Sequence, residues 1–142
     1  MILLDTNVVS ETMRATPAPA VIAWLDEQAT ETLYLSTVSL AELLLGIALL
    51  PNGRRKRTLG DALTQRAITL FADRILAFDL AAAEAYPGVV TRAQAAGRVM
   101  SVADGQIASI AAAHRMSVAT RDLAPFTAAG IRVIDPWNAT NA

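Results

Sequence analysis

The chain of 142 residues contains no cysteine and a single histidine. The first absence excludes disulfides, thiolate nucleophiles, iron–sulfur clusters and cysteine-based zinc sites. The second excludes a multi-histidine metal centre within one chain and most imidazole acid–base chemistry. Aromatic residues make up only 5%, so the interior must be built mainly from Ala, Leu, Val and Ile. Neither charge sign dominates. Twelve Lys and Arg face 13 Asp and Glu, for a net charge of −1. Nothing therefore pulls the whole chain toward nucleic acid or a membrane surface, and a polyanion would have to be met by a local basic patch. Long apolar runs are missing too. The longest, Val38–Leu50, contains Glu42 and falls short of the ~20 residues that span a bilayer. The opening MILLDTN has no basic leader and is interrupted by Asp5, which argues against a signal peptide. A cytoplasmic protein with no membrane partner is expected.

What is present is a hydrophobic share of 54% with 18% charged residues, a balance that excludes intrinsic disorder. The length suits one domain over residues 1–142, with the tail from 137 expected to fray. Short apolar runs at Ile2–Leu4, Thr32–Ser36, Ile75–Phe78, Ser117–Ala119 and Arg132–Ile134 read as strands. Between them, helical spacing covers Ala20–Gln28, Val38–Leu50, Arg54–Phe71, Leu80–Ala96 and Val102–Arg115. Thr6–Thr12 reads as a turn or short helix. Pro87-Gly88 should interrupt the fourth of the long helices, and a short helix before Gly130 ends on that glycine. Strands alternating with helices argue for an α/β fold: a central, mainly parallel sheet covered on both faces, a three-layer α/β/α sandwich.

In such sheets ligands bind beyond the carboxyl ends of the strands. Asp5 closes the first strand and Asp122 follows the fourth. Glu42 and Asp104 fall in the first turns of two helices. Neither of these two has a Lys or Arg one helical turn away, so neither is an ordinary ion-paired surface acid. Structural readings stand beside this. Ser39 with Glu42, and Ser101 with Asp104, fit the capping-box pattern; Asp122 fits a helix N-cap, and Asp5 a turn residue. The four together are harder to explain as caps. Like charges ~4 Å apart repel by about 1 kcal/mol in water and ~4 kcal/mol near a protein surface, and a divalent cation would reverse that cost. Carboxylate-only ligands select a hard ion, Mg2+ or Mn2+, and the chemistry that suits it is metal-assisted phosphodiester hydrolysis.

The blocks Leu4-Asp5-Thr6-Asn7, Ser39-Leu40-Ala41-Glu42, Ala103-Asp104-Gly105-Gln106 and Thr120-Arg121-Asp122 resemble, in order and spacing, the PIN-domain ribonucleases. The resemblance is to VapC-type toxins of bacterial toxin–antitoxin pairs, in their FitB-like branch. It implies a metal-dependent endoribonuclease acting on RNA. The enzyme would be a homodimer held inactive by a small DNA-binding antitoxin of ribbon–helix–helix or AbrB-like type, which alone would touch operator DNA. It further implies that Asp5, Glu42, Asp104 and Asp122 are catalytic and metal-binding, with Thr6, Asn7 and Thr120 in support. Much of the family has Asn directly after Thr-Arg and an acid a few positions later; here Asp122 takes the first position.

Other candidates carry less. The run Arg54-Arg55-Lys56-Arg57 is either a solvated face or a contact for RNA or an acidic partner. Arg121 either meets RNA or pairs with a site acid. His114 suits the C-terminal end of its helix. Trp24, Tyr34 and Trp137 read as packing residues, and Tyr86 as a dimer contact. A haloacid-dehalogenase phosphatase would need an Asp where Asn7 stands, and the sole lysine, Lys56, suits neither that enzyme nor a phospho-receiver. A catalytically silent PIN-like partner of a DNA-binding antitoxin is the alternative from another functional class.

Overall fold

The computed structural model describes residues 1–139. In chain order the elements are β1 (Ile2–Leu4), α1 (Thr6–Thr12), α2 (Pro19–Glu27), β2 (Leu33–Ser36), α3 (Thr37–Ala48), α4 (Arg54–Leu63), β3 (Ile75–Leu76), α5 (Leu80–Ala95), α6 (Val102–His114), β4 (Ser117–Ala119), α7 (Leu123–Ala128) and β5 (Val133–Ile134). The strands form one sheet in the order β3-β2-β1-β4-β5, and every pairing is parallel. The first half of the chain builds outward from β1 on one side. The second half crosses over and builds on the other.

Alternation along the strands separates two cores. Leu3, Val118 and Val133 face one layer with Ala82, Val89, Ile107, Ile110 and Phe126, drawn from α5, α6 and α7. Leu4, Leu33, Leu35 and Ala119 face the other with Val8, Val21, Trp24, Leu43 and Leu63, from α1 to α4. The sandwich of three layers follows from this period of two. Trp24 is buried, and Tyr34 packs partly against the first core. No helix among the described residues is long and apolar enough to cross a membrane. Trp137, in the tail expected to fray, packs against the second core; residues 140–142 lie outside the described residues.

Several local expectations are revised. The helix expected over 54–71 opens into a wide π-type turn at Thr64–Ile68. Leu63, Ala67 and Phe71 are buried while Ile68 and Leu70 are exposed. Their spacing of four exceeds the 3.6 of an α-helix, and the wider turn keeps them on one face. Pro87 does not break α5. The carbonyl that its missing N–H would have served, that of Ala83, belongs to an exposed residue, where solvent can replace the lost bond. Strand β3 stops at Leu76, β5 begins at Val133, and a 3-10 turn at Thr30–Thr32 precedes β2.

Tyr86 is engaged inside the chain. Its ring stands edge-on to Phe78 at 6.1 Å and lies against Gly105, where an added Cβ would come within 2.9 Å of it. Gly105 thus lets α5 and α6 approach closely.

Candidate active site

The switch point of this sheet lies between β1 and β4, because the chain leaves β1 for β2 and later returns on its other side. Crevices open beyond the strand ends at such points. Asp5 sits there, directly after β1, with its N–H donating to Ala119 O of β4 at 2.9 Å. It also occupies the N-cap of α1. Its Oδ1 accepts from Thr6 N–H at 2.8 Å, and its Oδ2 accepts from Thr120 Oγ1 at 2.7 Å.

Thr120 is fully buried, and its hydroxyl is saturated. Besides donating to Asp5, it accepts from Asn7 Nδ2 at 3.3 Å and from Asp122 N–H at 3.0 Å. One proton and two lone pairs are all a hydroxyl has. Asn7 Oδ1 in turn accepts from Arg121 N–H at 3.3 Å. Thr6, Asn7 and Thr120 therefore lock the ends of β1 and β4 together around Asp5.

Glu42 arrives from α3 and is exposed. Its Oε1 accepts from Thr6 Oγ1 at 2.7 Å. Thr6 Oγ1 also lies 3.0 Å from Ser39 Oγ; its one proton being used on Glu42, Thr6 accepts there. Ser39 is fully buried and is no cap. The N-cap of α3 is Ser36, whose hydroxyl accepts from Ser39 N–H at 2.9 Å. Sequence reading missed Ser39 as a site residue. Sequence reading took Ser39 with Glu42 for the capping box, and only the position where β2 ends shows that Ser36 is the cap.

Asp104, half-buried in the first turn of α6, is capped as expected: Ser101 Oγ accepts its N–H at 3.1 Å. Asp122 holds the N-cap position of α7, but its side chain makes no capping bond. The Ser101 hydroxyl also acts on the Asp104 carboxylate, whereas that of Asp122 takes no capping role.

The electrostatics link the four acids. Burial pushes the Asp5 carboxyl up to about 6 against the pull of its two hydrogen bonds, and the charges of Asp104 and Glu42 raise it further. Burial also raises Asp104; the Ser101 hydroxyl opposes this, and Asp122 and Glu42 add to it. Two clustered, destabilised carboxylates are what a cation site presents before the cation arrives. The donor set is all oxygen, which fits a hard divalent ion. Among the described residues no three acidic or histidine groups form a ready-made cage.

The cationic candidates divide. Arg121 stacks over the Trp137 ring at 5.2 Å, which makes that indole a platform for the guanidinium. Lys56 Nζ donates to Ala48 O at 3.0 Å and lies 3.4 Å from Asn52 Oδ1, so it caps the end of α3. Arg54, Arg55 and Arg57 are exposed in the first turn of α4, which has no acid there. Cations at a helix N-terminus oppose its dipole. Buried Glu11 was not anticipated. Its carboxyl is held low by the Ala18 N–H and then by Arg14, which makes it a structural clasp at the end of α1.

The model of the PIN domain matches residues 2–130. This chain belongs to the PIN-domain family. Across this PIN domain the likeness to curated relatives is nearly end to end. It is 50% identical to the plasmid stability protein StbB of Pseudomonas syringae pv. tomato, covering 98% of this chain and 100% of the other. It is 47% identical to the VapC ribonuclease Y4jK of Sinorhizobium fredii, covering 96% and 98%, and 47% identical to the toxin FitB of Neisseria gonorrhoeae, covering 97% and 99%. A solved structure of FitAB bound to an IR36 DNA fragment superposes with a TM-score of 0.94 at 45% identity, covering 99% of each chain. The PIN domain described here therefore stands in the VapC and FitB branch.

Proposed function

We propose that this PIN domain is a Mg2+- or Mn2+-dependent endoribonuclease acting in the cytoplasm as the toxin of a toxin–antitoxin pair. The observation that carries the reading is the switch-point cluster, in which buried Asp5, raised to about 6, feels the charges of Asp104 and Glu42, and Asp104 feels that of Asp122. The names of its relatives, a VapC ribonuclease and a toxin, support the same reading. Asp5 and Asp104 would hold the ion, with Asp122 and Glu42 beside it. When bound, the ion supplies an acidified water and a counter-charge for the departing oxygen.

The chain's own residues do the rest. Thr6 and Thr120 fix both oxygens of Asp5 so that the carboxylate cannot rotate. Thr6 holds one oxygen of Glu42 and leaves the exposed Oε2 to take a proton from water at the phosphorus. Arg54, Arg55 and Arg57 meet RNA phosphates or an acidic partner segment, and Arg121, braced on Trp137, is a further candidate for that contact. The protein works as a homodimer. A small DNA-binding antitoxin, ribbon–helix–helix or AbrB-like, inhibits it and alone contacts operator DNA.

The test is RNA cleavage with Mn2+ by wild type and Asp104→Asn. Loss of cleavage in the variant is the expected result. Equal cleavage by both would point to a contaminant. The second reading, a silent partner acting in transcriptional autoregulation, is favoured by the DNA held in the FitAB complex. It would be adopted if purified wild type cut no RNA while its complex with antitoxin still bound operator DNA.

A further inference from the structure

At the end of the sheet opposite the acids, a cavity of about 470 Å3 opens between α5, the C-terminal end of α6, the start of β4 and the turn before β5. Three arginines from three separate segments line it: Arg92, Arg115 and Arg132. No Asp or Glu does. Among the described residues the one ion pair joins Arg14 to Glu11, so none of the three is neutralised. Arg74 shows the contrast, since its donors are held by the backbone carbonyls of Thr30, Leu33 and Leu70.

Two backbone features hold this arrangement. Among the described residues Arg115 is the one non-glycine residue with positive φ, at 55°. It ends α6 in the left-handed region, where glycine is the usual choice and a side chain costs energy. Gly130, at φ 80°, lies under the Arg92 side chain so closely that an added Cβ would sit 2.5 Å from Nη1. The chain thus keeps a strained arginine, and a glycine that makes room for another, around a single cavity. The helix ends nearby contribute roughly −0.5 of a charge each, too little to cancel three guanidinium groups.

We propose that this cavity is a binding site for a multiply charged phosphate group, separate from the acidic crevice. Guanidinium forks pair two N–H donors with two phosphate oxygens, and three of them suit a phosphate carrying two or more charges. The volume falls in the range of small-ligand pockets, roughly 300–1,000 Å3. The floor is small and aliphatic, including Val89 and Met116, and no aromatic ring lines it. Such a wall offers nothing on which a base would stack, so the phosphate is what is recognised. Its source is either a free phosphorylated small molecule or the backbone of a nucleic-acid strand.

The test uses inorganic pyrophosphate in EDTA, followed by titration calorimetry. Wild type should bind it with an affinity that falls as salt rises. Arg115→Gly should weaken binding about tenfold or more while leaving the melting temperature unchanged or higher, because glycine accepts this backbone without strain. Asp104→Asn should bind as wild type does, which separates this site from the acids. No binding by wild type, undiminished binding by Arg115→Gly, or loss of binding in Asp104→Asn would each overturn the proposal. So would Arg115-dependent binding of polyglutamate without binding of pyrophosphate. A single-stranded oligonucleotide that binds more tightly than pyrophosphate, and through Arg115, identifies the strand backbone as the source. One whose binding ignores Arg115, while pyrophosphate requires it, identifies a free phosphate.

Discussion

Replacing Asp5 by Asn should change stability in a pH-dependent way that reports directly on the buried charge. The folded-state carboxyl titrates at about 6 against an ordinary value of 3.8. Between these values the folded protein keeps a proton that the unfolded chain has released. Its stability therefore falls as pH rises through this window. Each pKa unit is worth 1.36 kcal/mol, so the ionised group costs the fold roughly 3 kcal/mol above pH 6. Asn removes that cost, but Asn also loses something. Its oxygen still accepts from Thr6, yet its amide faces Thr120 Oγ1, whose acceptor sites are filled by Asn7 and Asp122. The stranded hydroxyl proton costs about 1–3 kcal/mol at every pH. Without metal, Asp5→Asn should therefore be less stable than wild type near pH 4 and equal or more stable at pH 7.5. The difference between the two proteins should swing by about 3 kcal/mol, or some 6–12 °C in melting temperature for a domain of this size. Urea unfolding from pH 4 to 8 in EDTA measures it. A difference that stays flat across this range would refute the assignment of a desolvated, ionised Asp5.

Other perturbations test the same site and its support. Thr120→Val should strip Asp5, Asn7 and the Asp122 N–H of one shared partner and destabilise the fold by about 1–3 kcal/mol; an unchanged urea midpoint would show that the network carries no weight. Because bound carboxylates must be ionised and both Asp5 and Asp104 are raised, the apparent affinity for Mn2+ should drop as pH falls below about 6; a calorimetric affinity constant between pH 5 and 8 would count against ligation by these acids. Gly105→Ala should push the Tyr86 ring off α6 and destabilise by about 1–3 kcal/mol, with recovery in Gly105→Ala/Tyr86→Leu; a melting temperature for the single variant at or above wild type would mean that the contact yields freely.

The acids were legible in the sequence because they break strong patterns. Asp5 ends an apolar strand, and Asp104 and Glu42 interrupt apolar helices without a basic partner one turn away, so local chemistry already marks them as unusual. The same reasoning misplaced Ser39 because capping depends on which residue ends the preceding strand. It read one helix over Leu80–Ala96 but expected Pro87 to interrupt it, because a proline's cost depends on whether the orphaned carbonyl faces water. It did not see the contact of Tyr86 with Gly105, since nothing local says that the two lie opposite.

What the chain's one-dimensional pattern determined, then, was the alternation of strands and helices and the parallel layered architecture, which rest on periods of two and 3.6, and it nominated the four carboxylates by their side-chain chemistry. What only tertiary structure decided were the relations between residues distant in sequence: the Thr120 hydroxyl saturated by Asp5, Asn7 and Asp122, and three arginines from separate segments around one cavity. Periodicity tells a residue which face it occupies, but the partner across the gap is chosen by strand order and register, which no local pattern encodes.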